Sequence, residues 1–132
     1  MAVVKKKLDV LIIDDNETTR AVLRMIIQGD HFDVVGEAAS GSAGLERVRR
    51  LRPDIVCLDI SMPDADGLDI LQEIKNESKG MSVLMVTASN DLKTVTTAIE
   101  RGASGFIIKP FNSGTVLDTL ESTAAKLRDM KV

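Results

Sequence analysis

Five short apolar runs constrain the fold of this chain more than any other feature of its sequence. Apolar and polar residues do not alternate within them, and β-branched residues are common. Strands of this kind are covered on both faces of a sheet. The runs therefore predict five buried strands, which lie at residues 10–13, 34–35, 55–58, 83–86 and 106–108.

Segments with helical spacing lie between these runs. Leu45, Val48 and Leu51 are three residues apart. A second helical face is predicted to carry Leu117, Leu120, Ala124 and Leu127. Strands that alternate with helices form a parallel sheet with right-handed crossovers. The chain is therefore predicted to be an α/β protein of five βα units.

Single residues mark the expected helix ends. Asn16 is a suitable N-cap for the first helix, and Gly29 can end that helix. Pro53 ends the second helix, and Gly102 follows the fourth. With 132 residues, the chain is expected to be one domain over residues 1–132, with a core at about 8–130 and no output domain.

Composition and charge argue against several classes of protein. The net charge is −3, so we expect no direct binding of nucleic acid. No segment approaches the roughly 20 apolar residues of a membrane span, and none has the pattern of a secretion signal. We therefore expect a cytoplasmic protein that does not bind membranes. The lone cysteine, Cys57, lies in an apolar run and is predicted to be a small buried hydrophobe.

The residues at the carboxyl ends of the strands carry the chemistry. Asp14 and Asp15 follow the first strand, Asp59 the third and Lys109 the fifth, while Thr87 ends the fourth. Ligands of open parallel sheets bind beyond these strand ends. Two carboxylates ~4 Å apart repel by about 4 kcal/mol at an effective dielectric near 20. A Mg²⁺ ion, which prefers oxygen ligands, would together with Lys109 balance the three acidic charges.

Four motifs follow one another along the chain: Asp14-Asp15 with Arg20, residues 58–63 with Gly67, residues 86–88, and residues 102–111. In their order and spacing they resemble the motifs of the response regulator receiver family. The resemblance covers nearly the whole chain.

The resemblance implies a flavodoxin-like, doubly wound (βα)5 sheet of strand order 2-1-3-4-5, in which the first and third strands are neighbours. It implies that Asp59 accepts a phosphoryl group from the phosphohistidine of a histidine kinase or a phosphotransfer protein. Asp15 and Asp59 would ligate Mg²⁺ directly, Asp14 would act through water, and the backbone carbonyl of Ser61 would add a ligand. The protein would then be a stand-alone signalling switch rather than a conventional enzyme, although it would catalyse its own phosphotransfer and autodephosphorylation.

Lys109, Thr87 and Phe106 have implied roles in the same switch. Lys109 would pair with the acyl phosphate, and its bond to Pro110 would be cis. Thr87 would move to hydrogen-bond a phosphate oxygen, and the ring of Phe106 would enter the vacated space. This would change the face formed by the fourth helix, fifth strand and fifth helix, where an unidentified target protein binds. A plain core role for Phe106 is an equal alternative.

Simpler interpretations stand beside these. Asp14 and Asp15 could merely cap the loop and the first helix. The β-branched residues 94–97 of the fourth helix indicate either local drift or a marginal helix that responds to phosphorylation. A basic cluster on the second helix is either a docking surface or, as we favour, a solvated face with carboxylates nearby; it comprises Arg47, Arg49, Arg50 and Arg52.

Three other functions fit the fold class less well. A flavodoxin-like electron carrier needs a phosphate loop after the first strand, where this chain carries Asp14 to Glu17. An aspartyl phosphohydrolase uses a second Asp two positions after the nucleophile, where this chain has Ser61. A degenerate receiver would have lost the acidic and basic residues that are present here. Chemotaxis control, phosphorelay and phosphate buffering all stay open.

Overall fold

The protein is described by a computed structural model that covers residues 6–88 and 91–130. Strands and helices alternate without exception through these residues. In chain order they are β1 (Leu8–Ile13), α1 (Glu17–Ile27), β2 (Phe32–Ala38), α2 (Gly41–Leu51), β3 (Ile55–Asp59), α3 (Gly67–Glu77), β4 (Ser82–Thr87), α4 (Leu92–Glu100), β5 (Gly105–Ile108) and α5 (Ser113–Met130).

The five strands form one parallel sheet in the order β2-β1-β3-β4-β5. This confirms the predicted flavodoxin-like fold and its strand order. The order reverses between β1 and β3, and in open α/β sheets that reversal opens a crevice beyond the carboxyl ends of the strands.

Strand β2 is longer than its apolar run predicted, because it lies at the edge of the sheet. Beside the predicted Val34 and Val35, it includes the partly exposed Asp33 and Glu37. Its pairing with β1 shifts register between Val10 and Leu11, as in a β-bulge. An edge strand tolerates such polar and irregular positions, so a purely apolar run marks only its centre.

The helix ends agree with the local predictions. The Asn16 side chain accepts a hydrogen bond from the Thr19 N–H at 2.9 Å and caps α1. Helix α1 ends at Ile27, two residues before Gly29. Helix α2 ends at Leu51, and Gly102 follows α4 with a positive φ of 100°.

Two apolar layers cover the two faces of the sheet. One lies between the sheet and helices α1 and α5, and the other between the sheet and α2, α3 and α4. Cys57 is fully buried in the first layer, and burial raises the pKa of its thiol to about 12, as expected for an unreactive core cysteine. The buried face of α5 includes Val116, whereas the predicted Leu117 is only half-buried.

The basic residues of α2 are paired with carboxylates. Arg47 and Arg50 lie 3.1 Å and 3.7 Å from the Glu46 carboxylate, and Arg49 lies 2.6 Å from Glu77 on α3. This supports the solvated face rather than the docking surface. Arg52 lies just beyond the helix. Among the described residues, no helix combines the length and apolar character that crossing a bilayer requires.

Candidate functional site

The register of the sheet brings the polar residues of four strand ends together. Ile13 of β1 pairs with Leu58 of β3, so the next residues, Asp14 and Asp59, leave the sheet side by side. On the other side of β3, Thr87 of β4 pairs with Ile108 of β5, directly before Lys109. Parallel pairing therefore places residues from distant parts of the chain at one edge.

Three carboxylates form the acidic cluster at this edge. Each of Asp14, Asp15 and Asp59 contributes an oxygen, and these oxygens lie within 4.8 Å of one another. Asp14 and Asp59 are buried, at 1% and 5% exposure, whereas Asp15 is exposed. The cluster thus has two buried carboxylates and one that is accessible to solvent.

The donor set of the cluster fits Mg²⁺. This ion is octahedral, prefers oxygen at about 2.1 Å and usually keeps several waters. Opposite ligands of such an ion are about 4.2 Å apart, slightly less than the 4.8 Å that bounds the cluster. The cluster can hold one such ion.

Lys109 supplies the positive charge of the site. Its Nζ lies 3.4 Å from Asp14 Oδ2 and 3.6 Å from Asp59 Oδ1, so one ammonium group contacts both buried carboxylates. The Lys109 N–H donates to the Thr87 carbonyl at 2.8 Å. The Lys109–Pro110 bond is cis, as the motif implied.

Asp59 holds its proton more tightly than an ordinary aspartate. Burial is the main cause, and together with the nearby Asp14 carboxylate it raises the Asp59 pKa from 3.8 to about 6; a hydrogen bond with Asp15 adds to the rise. Lys109 and the Ser61 N–H, which donates to Asp59 Oδ1 at 3.3 Å, act in the opposite direction. With a pKa of about 6, the carboxylate is largely ionised near neutral pH.

The β3–α3 loop, residues 60–66, is held closely against the end of β3. The Gly67 N–H donates to the Ile60 carbonyl at 2.7 Å. A Cβ on Gly67 would clash with the Asp59 carbonyl oxygen, so this close approach requires glycine. On the outer side, Asp64 accepts hydrogen bonds from Gly41 and Ser42 at the start of α2. These contacts fix the backbone around Ser61.

The two residues of the predicted switch differ in burial. Thr87 is 5% exposed at the end of β4, close to the paired strand end that leads to Lys109. Phe106 of β5 pairs in register with Met85 and is half-buried against the apolar layer that includes Ala98 of α4. A half-buried ring is compatible with both the switch and the core interpretation.

Sequence motifs pointed to the acidic cluster, Lys109 and Thr87, but gave no role to the residues that support them. Arg20 donates to the Asp14 carbonyl, and Glu37 accepts from Arg20. Arg20 stands in one of the motifs, whereas no local signal marks Glu37 or Asp64. Glu37 lies 17 positions from its partner Arg20, and Asp64 lies 22 positions from its partner Ser42.

Comparison with known proteins agrees with this fold and site. The model of the response regulator receiver domain family matches residues 10–121. Chemotaxis protein CheY of Listeria monocytogenes is 38% identical over 117 residues, which are 89% of this chain and 98% of that protein. CheY of Bacillus subtilis is 36% identical over 114 residues, 86% of this chain and 95% of that protein.

A solved structure extends the likeness. A chain of the CheX–CheY–BeF3–Mg²⁺ complex from Borrelia burgdorferi matches with a TM-score of 0.84 and 32% identity, and 87% of each chain is covered. The protein therefore belongs to the response regulator receiver domain family of two-component systems. Within that family it resembles the chemotaxis CheY type, whose members are signalling switches rather than conventional enzymes.

The raised pKa of Asp59 predicts a pH-dependent stability of the metal-free protein. Because the folded pKa of about 6 exceeds the ordinary 3.8, ionisation of Asp59 removes stability as the pH rises through this window, and the loss persists above it. Asp59→Asn abolishes this loss. Relative to wild type, Asp59→Asn should gain stability between about pH 4 and 7 in urea unfolding with a chelator present.

The exposed Asp69, paired with Arg101 on the surface, provides the control. The difference in unfolding free energy between Asp69→Asn and wild type should stay nearly constant over the same range. A difference for Asp59→Asn that is equally constant would contradict the assigned environment of Asp59.

Proposed function

We propose that the protein is a phosphoacceptor switch in which Asp59 receives a phosphoryl group in the presence of Mg²⁺. The observation that carries the proposal is the convergence of three carboxylates and the Lys109 ammonium at the carboxyl edge of the sheet. The proposed domain comprises residues 1–132 with its core at about 8–130, and of these residues 1–5, 89–90 and 131–132 lie outside the described residues.

Asp59 is proposed as the nucleophile. One of its carboxylate oxygens forms a bond to phosphorus while the bond from phosphorus to the donor histidine nitrogen breaks, and that nitrogen keeps the electron pair. Lys109 Nζ, 3.6 Å from Asp59 Oδ1, is placed to pair with the transferred oxygens. Burial of Asp59 excludes much of the competing water.

Asp15 and Asp59 are proposed to hold Mg²⁺ directly, Asp14 through water, and the Ser61 carbonyl as a further ligand. When bound there, the ion would supply positive charge next to the phosphoryl group that is transferred to Asp59. The contacts of the β3–α3 loop with Gly67 and with the start of α2 support a fixed Ser61 backbone. Return to the resting state is proposed to occur by autodephosphorylation, in which water attacks the acyl phosphate.

The proposed phosphodonor is a histidine kinase or a phosphotransfer protein, and the cytoplasm is the proposed location.

The proposed target-binding surface is the face of α4, β5 and α5. Three large apolar side chains support it, because Leu92, Ile99 and Ile108 are 80%, 58% and 42% exposed.

Thr87 and Phe106 are proposed to connect the acidic cluster with the target-binding face of α4, β5 and α5. A phosphoryl group on Asp59 attracts the Thr87 hydroxyl, and the Phe106 ring then moves into the space that Thr87 leaves. The half-buried position of Phe106, against the apolar layer that includes Ala98 of α4, supports this coupling. The result is a shift between two packings of α4 and β5.

Phosphorylation can be tested with a small phosphodonor. Wild-type protein incubated with Mg²⁺ and acetyl phosphate should gain the mass of one phosphoryl group, because Asp59 supplies the nucleophile. Asp59→Ala should gain none, and a chelator should abolish the gain in wild type. Intact-mass spectrometry gives the readout, with Asp69→Asn as a control that labels like wild type.

A label that persists in Asp59→Ala would refute Asp59 as the acceptor. Sustained turnover of a general phosphomonoester would favour the phosphohydrolase instead, and a bound yellow cofactor would favour the electron carrier.

Amide hydrogen exchange tests the switch. With Mg²⁺ and beryllofluoride as the phosphoryl mimic, exchange in α4 of wild type should change, because Phe106 repacks beneath it. Thr87→Ala should bind the mimic but lose most of this change, and Thr87→Ser, which keeps a hydroxyl, should retain it. Unchanged α4 exchange in wild type, or a full response in Thr87→Ala, would exclude the proposed coupling.

A further inference from the structure

A charged network outside the acidic cluster contacts its backbone. Arg20 lies in the first turns of α1, and its guanidinium reaches back to the end of β1. Its Nη1 donates to the Asp14 carbonyl oxygen at 2.7 Å, and its Nε donates to Glu37 Oε1 at 3.2 Å. The Arg20 side chain is only 16% exposed, so these contacts are partly shielded from water.

The contacted carbonyl belongs to the peptide bond that joins Asp14 to Asp15. The orientation of this peptide sets the directions in which both side chains leave the backbone. On the other side of Asp14, its N–H donates to the Ala38 carbonyl at 3.0 Å. Asp14 is therefore tied to β2 through its N–H, and to β2 again through Arg20 and Glu37.

The shape of the arginine side chain suits this task. A guanidinium is planar and offers donors in fixed directions, so Nε and Nη1 can serve two acceptors at once. Glu37 holds the guanidinium by a charge-assisted hydrogen bond, which is stronger than a neutral one. A lysine offers one flexible ammonium group and cannot reproduce this geometry.

A neighbouring arginine provides a control that distinguishes positioning of the Asp14–Asp15 peptide from simple attachment of α1 to β2. Arg24 also pairs with Glu37, at 2.5 Å from Oε2. Within the described part of the chain, Arg24 makes no hydrogen bond to the Asp14 carbonyl. Arg20 and Arg24 therefore share a helix, a charge and a partner, but differ in contact with the backbone of the acidic cluster.

We infer that Arg20, oriented by Glu37, is a positioning residue that holds the Asp14–Asp15 peptide so that the carboxylates converge on a divalent cation. The inference rests on the proposed function, because it assumes that the acidic cluster binds Mg²⁺. Partners that orient metal ligands from outside typically affect metal affinity by about 10- to 100-fold when they are removed. Arg20 acts without touching the ion.

The test compares Mg²⁺ affinity with fold stability. Wild type, Arg20→Gln, Arg20→Lys, Glu37→Gln and Arg24→Gln are titrated with MgCl2 while backbone amide shifts are followed by NMR. Arg20→Gln should weaken Mg²⁺ binding about tenfold or more. Arg20→Lys and Glu37→Gln should show intermediate losses, and Arg24→Gln should stay within about twofold of wild type.

A second readout needs no metal. Hydrogen exchange of residues 14–16 in the chelated protein should be faster in Arg20→Gln, because the peptide that Arg20 holds is released. Arg24→Gln should exchange like wild type there. Urea unfolding of each variant measures its loss of stability. A variant that loses Mg²⁺ affinity while its unfolding free energy stays near that of wild type has not merely been destabilised. Should Arg20→Gln fail to fold, Arg20→Lys and Glu37→Gln decide the question.

The outcomes separate this inference from the proposed function. Wild type that binds Mg²⁺, with equal affinity in Arg20→Gln, would overturn the positioning role and leave the proposed function intact. Equal losses of affinity in Arg20→Gln and Arg24→Gln would also overturn it, since loosening of β2 would then suffice. Wild type without Mg²⁺ affinity would refute the proposed function itself, and the positioning role with it.

Discussion

Repulsion between two buried carboxylates is the constraint around which the site is built. Asp14 and Asp59 leave neighbouring strands side by side, and one ammonium group, that of Lys109, contacts both. A pair of such charges ~4 Å apart repels by about 4 kcal/mol at an effective dielectric near 20. Together with the exposed Asp15, the acidic cluster has three carboxylates and one ammonium group, and one divalent cation can balance the remaining negative charge. Burial is the main cause of the raised Asp59 pKa, and the neighbouring Asp14 carboxylate adds to the rise although Lys109 opposes it.

The fold keeps these charges together despite their repulsion. Strands β1, β3 and β4 are fully covered by apolar layers, so the backbone positions of their ends are fixed by packing as well as by hydrogen bonds. Gly67 allows the β3–α3 loop to approach the end of β3, and Arg20 ties the end of β1 to β2. The stability of the sheet thus offsets the cost of a preorganised charged site, as is common for functional sites.

Local sequence signals predicted most of the fold and the central residues of the site. Apolar runs located the strands because buried parallel strands need continuous apolar character. Asn16 and Gly102 marked helix ends because capping depends on single residues. The strand order came from the family resemblance, since periodicity cannot order strands within a sheet. Edge strand β2 was recognised only at Val34 and Val35, because the partly exposed Asp33 and Glu37 interrupt its apolar character.

The supporting contacts escaped sequence reasoning for a physical reason. Pairs such as Arg20 with Glu37, or Asp64 with the start of α2, depend on the distance between elements after folding. A surface arginine or glutamate carries no local sign of its partner. On α5 the shift of the buried face towards Val116 has the same origin, because neighbouring elements decide which part of a broad apolar face is covered.

A crystal structure of the protein with Mg²⁺ and beryllofluoride tests the central claim most directly. We expect one cation in contact with the carboxylates of Asp15 and Asp59, a fluoroberyllate group on an Asp59 carboxylate oxygen, and Lys109 Nζ against its fluorines. A structure grown under these conditions with no cation at the acidic cluster, or with the adduct on another residue, would contradict the claim.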